Sequence, residues 1–210
     1  FGDALYGTAF PSGTEAVFRT RGQPGDVERF TAVGVGDLAA TTTRVLGFVQ
    51  TASGNTWSLR DFSALDAGAP VLVNVVTNYV FGPCCLGVEG SEAAFPVRSP
   101  DAGFELWRTD GTAAGTINLT PGLRFVAAYG DSMLDIDGTL FFSAAATGTD
   151  VELYKSDGSA AGTGLVSELM AGTSGAYPGG FFRIGSLLYF SASTGIGAEL
   201  WRSDGSAAGT

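Results

Sequence analysis

The sequence contains no histidine, and this absence removes several chemistries at once. Histidine is the commonest general base, a frequent zinc ligand and the central member of a Ser-His-Asp triad. No G-x-S-x-G nucleophile elbow is present either, and no G-x-G-x-x-G loop lies between a strand and a helix. These 210 residues therefore offer no familiar pattern for a serine hydrolase site or a nucleotide site.

Cysteine is almost as scarce, because Cys84 and Cys85 are the only two and they are adjacent. A disulfide between sequence neighbours is strained, and the C-x-x-C spacing of redox and metal sites is absent. We interpret both as small apolar residues in a strand. Cysteine usage therefore does not indicate a cellular compartment.

Positive charge and long apolar runs are also lacking. Eleven basic residues face 21 acidic ones, which gives a net charge of −10 with no basic cluster. Nucleic acids and anionic membranes bind to positive surfaces, so we expect neither as a partner. No apolar run reaches the roughly 18 residues that a transmembrane helix requires, so we expect no membrane insertion.

What the sequence does contain is glycine, 32 residues of it, and a repeated motif. "ELWRTDGTAAGT" ends at Thr116, "ELYKSDGSAAGT" at Thr163 and "ELWRSDGSAAGT" at Thr210. Weaker copies are expected upstream, around Phe18 and Trp57. A repeat period in the forties is typical of propellers and other repeat architectures.

Each repeat is predicted to form four short antiparallel strands. In the last complete copy the strands are "SMLDI", "TLFFSA", "VELYKS" and "GLVSEL", with Asp137-Gly138 and Asp157-Gly158 as hairpin turns. Neighbouring side chains alternate between faces, so Leu106 and Trp107 place apolar groups on both sides of one sheet. Each sheet must then be covered by its neighbours, which predicts an all-β, β-propeller-like array of four-stranded antiparallel blades.

The predicted organisation is a single repeat domain, residues 1–210. The first predicted blade lacks its first strand and the last lacks its fourth, so we expect an incomplete fragment of a larger repeat protein. The approximate blades are 1–35 (partial), 36–80, 81–124, 125–172 and 173–210 (partial).

The three clear copies resemble the bacterial ELWxxDGT repeat family. The resemblance is strong from about residue 90 onward and weak before it. It implies propeller-like repeats in a large secreted or surface-attached protein, and it transfers no catalytic residue. The structural repeat positions that carry it are Trp107, Tyr154, Trp201, Asp110, Gly111, Asp157, Gly158, Asp204 and Gly205.

Two sets of repeated carboxylates are candidates for chemistry. Asp110, Asp157 and Asp204 could each ligate Ca²⁺, but an Asp before Gly more often caps its own turn, and one Asp per turn supplies too few ligands. The glutamates of the motif could act as paired acids and bases, although we expect local ion pairs or solvated strand edges instead. They are Glu105, Glu152 and Glu199. We expect no metal, no cofactor and no catalytic residue.

From these observations we expect a non-catalytic binding or structural module of a secreted or cell-surface protein. Its loops would be presented to extracellular polysaccharide or to a surface protein. One alternative is part of a propeller hydrolase acting on glycans, for which Asp131, Asp135 and Asp137 are the acidic group outside the motif. Another alternative is a pure spacer between functional domains.

Overall fold

The computed structural model describes residues 5–9, 16–20, 28–31, 35–40, 44–50, 56–62, 71–77, 87–89, 92–99, 103–126, 133–172 and 174–210. Nineteen strands lie in these ranges, and no helix does. Within this part of the chain there is accordingly no helix long and apolar enough to cross a membrane. The all-β fold class predicted from glycine-rich turns and short apolar strands is confirmed.

Five small sheets account for all 19 strands. Sheet 1 has the order β1-β2-β3, with β1 at Leu5–Ala9, β2 at Ala16–Thr20 and β3 at Glu28–Thr31. Sheet 2 has the order β4-β5-β6-β7, with strands at Val35–Ala40, Val45–Gln50, Thr56–Asp61 and Val71–Thr77. Sheet 3 has the order β11-β10-β9-β8, where β8 is Gly87–Glu89, β9 Glu92–Ser99, β10 Gly103–Thr109 and β11 Ile117–Asn118.

Sheet 4 is the largest, with five strands in the order β12-β14-β15-β16 and β13 beside β14. Its strands are β12 (Arg124–Phe125), β13 (Met133–Ile136), β14 (Thr139–Ala145), β15 (Val151–Ser156) and β16 (Gly164–Ser167). Sheet 5 has the order β17-β18-β19, with strands at Gly179–Ile184, Leu187–Ser193 and Ala198–Ser203.

The sheets therefore have three to five strands instead of a uniform four. In sheet 4 the extra strand arises because β12 and β13 share one edge of β14: Phe125 pairs with Ala144 at one end, and Ile136 pairs with Thr139 at the other. The predicted blade boundaries stay a prediction.

The chain divides into two compact units. The first contains Phe1–Ala93 with Thr109–Ile117, and the second contains Ala94–Arg108 with Asn118–Thr210. Sheets 4 and 5 both belong to the second unit, and the first unit includes sheets 1 and 2.

The core of the second unit lies between sheets 4 and 5. Sheet 4 contributes Phe141 and Leu153, while sheet 5 contributes Leu188 and Phe190, all at most 4 % exposed. Trp201 packs against this cluster, and its ring stacks on Phe190 at a centroid distance of 6.4 Å. One face of sheet 4 thus packs against one face of sheet 5. This is the covering of one sheet by its neighbour that the repeat predicted.

Two details bear on the sequence interpretation. In sheet 2, Leu59 pairs with Phe48 and Trp57 pairs with Gln50, and the weaker repeat copy around Trp57 stays a prediction. Leu59 is 2 % exposed. In sheet 5, Leu200 is 72 % exposed, so only one face of this sheet is covered.

Candidate functional site

The loop that follows Ser156 shows what the Asp-Gly positions do. The Asp157 Oδ1 atom accepts hydrogen bonds from the backbone N–H of Ser159 at 2.9 Å and from its hydroxyl at 2.7 Å. The Ser159 hydroxyl in turn accepts one from the Gly162 N–H at 2.9 Å. At the base of the loop the hydroxyls of Ser156 and Thr163 are 2.7 Å apart. The aspartate therefore holds its own loop closed.

The same bonds recur in the other two clear copies of the motif. Asp110 Oδ1 accepts from the N–H of Thr112 at 2.8 Å, and Asp204 Oδ1 accepts from that of Ser206 at 2.8 Å. The glycines after these aspartates have φ angles of 84°, 86° and 88°, a left-handed conformation that favours glycine. They are Gly111, Gly158 and Gly205.

This hydrogen bonding lowers the pKa of two of the loop carboxyls. For Asp157 the main cause is the hydroxyl of Ser159, and for Asp204 it is the hydroxyl of Ser206. Nearby cations contribute less: Arg108 lowers the pKa of Asp157, and Lys155 lowers that of Asp204. Both carboxylates are thus held in the charged form, with one oxygen committed to the loop.

Glu105 and Glu152 of the motif each bind the last strand of their own sheet or the chain that follows it. Glu105 accepts hydrogen bonds from Asn118 Nδ2 at 3.0 Å and from the Gly122 N–H at 2.9 Å. Glu152 accepts three, from the N–H groups of Leu169 (2.8 Å), Met170 (3.3 Å) and Ala176 (3.1 Å). In both copies the glutamate reaches a backbone N–H 17 residues further along.

This finding corrects the expected ion pairs or solvated edges for two of the three glutamates. Glu152 is 2 % exposed and its burial raises the pKa of its carboxyl, an effect that the three N–H donors oppose. Glu199, by contrast, is exposed and accepts a hydrogen bond from the Thr194 hydroxyl at 3.0 Å. The residues bound 17 positions further along, Gly122 and Leu169, share no side-chain type, so the sequence carried no signal for this backbone contact.

A group of three carboxylates is the strongest arrangement for a metal ion in the described residues. Asp150, Glu152 and Glu168 bring one oxygen each to within 4.8 Å of one another. Both oxygens of Glu152 are already bonded to backbone N–H groups, and Glu168 is exposed. Calcium takes six to eight oxygen ligands, so this trio by itself supplies too few. Glu152 binds the N–H groups of Leu169, Met170 and Ala176, while Asp150 Oδ1 is buried without a hydrogen-bond partner among the described residues.

The basic residue after the aromatic position links neighbouring sheets. Lys155 Nζ, on sheet 4, donates a hydrogen bond to the Gly205 carbonyl of sheet 5's loop at 2.7 Å. On the sheet 5 side, a Cβ added to Gly205 would lie 3.2 Å from the Phe141 ring. The lysine therefore binds the next Asp-Gly turn.

The remaining predicted groups are scattered. Asp135 accepts a hydrogen bond from the Gly138 N–H at 2.9 Å, and Asp137 pairs with Arg183 at 2.7 Å, so both serve the β13–β14 hairpin and its neighbour. Asp131 lies outside the described residues, as do Cys84 and Cys85. Tyr177 is 46 % exposed with a φ angle of 51°. Across the described ranges no carboxylates converge in a catalytic arrangement.

No protein-family model matches the chain, and no curated protein matches it. Solved structures do match. A puromycin-hydrolyzing peptidase from Mycobacterium tuberculosis has a TM-score of 0.55 and 12 % identity, over 96 % of this chain and 35 % of that one. A Pyrococcus horikoshii acylaminoacyl peptidase matches with a TM-score of 0.57 and 13 % identity, over 91 % of this chain and 30 % of that one. A prolyl endopeptidase structure matches with a TM-score of 0.59 and 14 % identity, over 97 % of this chain and 31 % of that one.

These matches concern the fold, and they span about a third of each peptidase. The matching structures are propeller-domain peptidases, which supports a propeller-like arrangement for this chain. The prediction of a non-catalytic binding or structural module is wrong by this comparison, because the chains that share the fold are hydrolases. No catalytic site has been identified in the described residues.

Proposed function

We propose that this chain is the β-propeller part of a longer hydrolase and that the groups that break bonds lie elsewhere in the same polypeptide. The observation that carries the proposal is the fold match over 91 % to 97 % of the chain to three peptidases of which it spans 30 % to 35 %. In this proposal the five sheets are blades of a propeller, stacked face to face around an axis.

The chemistry of the described residues supports the separation of this propeller part from the groups that break bonds. The chain has no histidine, and the repeated carboxylates are committed to their own loops and connections. Residues in such positions hold a scaffold. The catalytic nucleophile and base would then belong to another domain.

The proposed substrate class is peptide-like amides or esters instead of glycans. Two of the similar proteins are described as acting on puromycin or as acylaminoacyl peptidases, and the third as a prolyl endopeptidase. For the prolyl endopeptidases, inter-domain dynamics has a role in catalysis and specificity. We infer a comparable role here, in which the propeller part limits what reaches the catalytic domain.

A second part of the proposal concerns location and family. The motif resembles the ELWxxDGT repeats, which supports membership of that family and a place outside the cytoplasm. Fractionation of cells that express the full-length protein, followed by immunoblotting, tests the location. Recovery of the protein only in the cytosolic fraction contradicts it. Polysaccharide or surface-protein partners stay a prediction.

The hydrolase proposal is tested on the full-length protein and on the 210-residue chain in parallel. Both are treated with a fluorophosphonate probe, which labels activated serines, and are assayed on aminoacyl and prolyl p-nitroanilides and on a panel of polysaccharides. We expect labelling and amide cleavage by the full-length protein and neither by the 210-residue chain. A full-length protein without hydrolase activity overturns the proposal, and cleavage of polysaccharide alone overturns the substrate class.

A further inference from the structure

The outer face of sheet 5 is apolar and exposed. Phe182 lies opposite Tyr189 in the register, and Ser191 lies opposite Leu200, so these side chains share one face. Their exposed fractions are large: 43 % for Phe182 and 72 % for Leu200, with 57 % for Ile184 on the same face. The rings of Phe182 and Tyr189 stack at 5.5 Å and thus form a flat apolar surface.

The corresponding face of sheet 4 is buried. Leu153 lies opposite Ser143 as Leu200 lies opposite Ser191, and Phe141 lies opposite Lys155 as Tyr189 lies opposite Arg202. Leu153 is 0 % exposed and Phe141 is 4 % exposed. What covers them is the inner face of sheet 5, with Leu188, Phe190 and Trp201. The contact between sheets 4 and 5 thus shows which kind of surface packs on this face of a repeat.

Charge gives a second, independent requirement. Lys155 lies on the covered face of sheet 4 and donates its hydrogen bond to the carbonyl of Gly205, beside Asp204. Arg202 has the same register position in sheet 5 and is exposed. An occupant of the sheet 5 face must therefore present an apolar row and, next to it, a carbonyl and a carboxylate for Arg202.

We propose that the outer face of sheet 5 is a docking surface for one more sheet built from the same 47-residue repeat. The tryptophan-bearing face of that sheet covers Leu200 and Tyr189, and its Asp-Gly turn receives the guanidinium of Arg202. The occupant is a tandem copy of the repeat, because sheet 5 presents both the apolar row and the turn to the equivalent face of sheet 4.

The test compares the 210-residue chain with a chain in which a second copy of residues 164–210 follows Thr210. Both carry Cys84→Ser and Cys85→Ser, and either Leu200→Cys or Ile196→Cys. Ile196 is 88 % exposed in the β18–β19 loop and is the matched control. The rate at which a thiol reagent modifies each cysteine is then measured at several protein concentrations.

We expect the added copy to slow modification of Leu200→Cys at least about tenfold, while modification of Ile196→Cys changes little. In the extended chain, Arg202→Met should restore part of the lost reactivity. Equal rates for Leu200→Cys in the two chains overturn the proposal. Protection that appears in the 210-residue chain as its concentration rises also overturns it, since a second copy of the chain would then be the occupant.

Discussion

At the scale of single residues, the constant aspartate and glycines of the motif each have a structural role in their loop. The aspartate closes the loop, and the glycine directly after it supplies a left-handed φ angle. The later glycine of the motif has no room for a side chain: a Cβ at Gly162 would lie 2.1 Å from the Asp157 carboxyl group. The repetition of the loop therefore reflects close packing within it.

Substitution of Gly162 by alanine tests this packing. We expect Gly162→Ala to lower the free energy of unfolding by about 1–3 kcal/mol, because the new methyl group displaces the hydrogen-bonded Asp157 carboxylate. Gly164→Ala is the matched control, since nothing lies within 4 Å of its Cβ position. Urea unfolding followed by tryptophan fluorescence measures both. A loss of stability in the control equal to that in Gly162→Ala would contradict the explanation.

The lowered pKa of Asp157 gives a prediction with a defined sign. Its folded-state pKa lies below the unfolded value, so its contribution to stability is complete above the ordinary Asp range and is lost as the pH falls through the lowered value. Because the Ser159 hydroxyl is the main cause, Ser159→Ala should raise the pKa of Asp157 and leave that of Asp204 unchanged.

NMR titration of the aspartate carboxyl carbons measures both groups in one sample. Ser206→Ala serves as the reciprocal variant, since its hydroxyl is the main cause for Asp204. In that variant the pKa of Asp204 should rise and that of Asp157 should stay. A shift of both groups in either variant would indicate a general change of the fold instead of a local hydrogen bond.

At the scale of strands and connections, the buried glutamate organises the passage from sheet 4 to sheet 5. Glu152 extends from β15 to the 169–176 connection, and the Ala176 N–H also donates to the Val151 carbonyl at 2.9 Å. The Ala176 carbonyl accepts from the Ser193 N–H of β18 at 2.8 Å. Ala176 therefore joins the beginning of β15 in sheet 4 to the end of β18 in sheet 5.

Removal of the Glu152 carboxylate should be costly. Glu152→Ala removes the acceptor of the Leu169 and Met170 N–H groups, while the Ala176 N–H keeps its bond to the Val151 carbonyl, and we expect a loss of about 2–4 kcal/mol in the free energy of unfolding. Glu152→Gln keeps one acceptor oxygen and should lose less. Glu199→Ala is the control, because Glu199 is exposed and should change stability by less than about 0.5 kcal/mol. Equal effects at the two positions in urea unfolding would disprove the connection role.

Much of sheets 4 and 5 could be predicted from the sequence, for physical reasons that differ by element. The strands "TLFFSA" and "VELYKS" were predictable because their apolar side chains alternate between two faces, both of which are buried in sheet 4. The Asp137-Gly138 hairpin was predictable because both residues adopt positive φ angles, 53° and 83°. Asp157-Gly158 was not a tight hairpin, because hydroxyl-to-carboxylate bonds build a wider loop there.

Contacts between distant segments were beyond sequence reasoning. The bonds from Lys155 to the Gly205 carbonyl and from Glu152 to the 169–176 connection depend on how one sheet is placed on the next. No local pattern encodes that placement. The function was misjudged for a related reason: the repeated residues report on packing, and the comparison that pointed to hydrolases required the whole fold.

At the scale of the whole molecule, negative charge is abundant, and most of the carboxylates described above form hydrogen bonds or ion pairs within the chain. The chain carries 21 acidic residues against 11 basic ones, yet the buried or repeated carboxylates described above bind hydroxyls, backbone N–H groups or cations of the chain itself. In the trio of Asp150, Glu152 and Glu168, Glu152 shows the same pattern, whereas Asp150 Oδ1 is buried without a hydrogen-bond partner in the part of the chain that the structure describes. Stability should therefore not depend on a bound divalent ion.

A chelator measures this directly. We expect the melting temperature of the chain to be the same in EDTA and in calcium chloride, because Glu152 already uses both its oxygens on backbone N–H groups. Magnesium chloride at the same ionic strength serves as the control for screening by salt. A melting temperature that rises with calcium and not with magnesium would show a specific ion site.

The contact of Lys155 with the following turn has a consequence for how such a gene can evolve. The two faces of sheet 5 differ: one packs on sheet 4, whose Lys155 binds the loop of sheet 5, and the other carries Arg202 at the position equivalent to Lys155. A head-to-tail duplication of the coding segment therefore creates a matching joint without any compensating mutation.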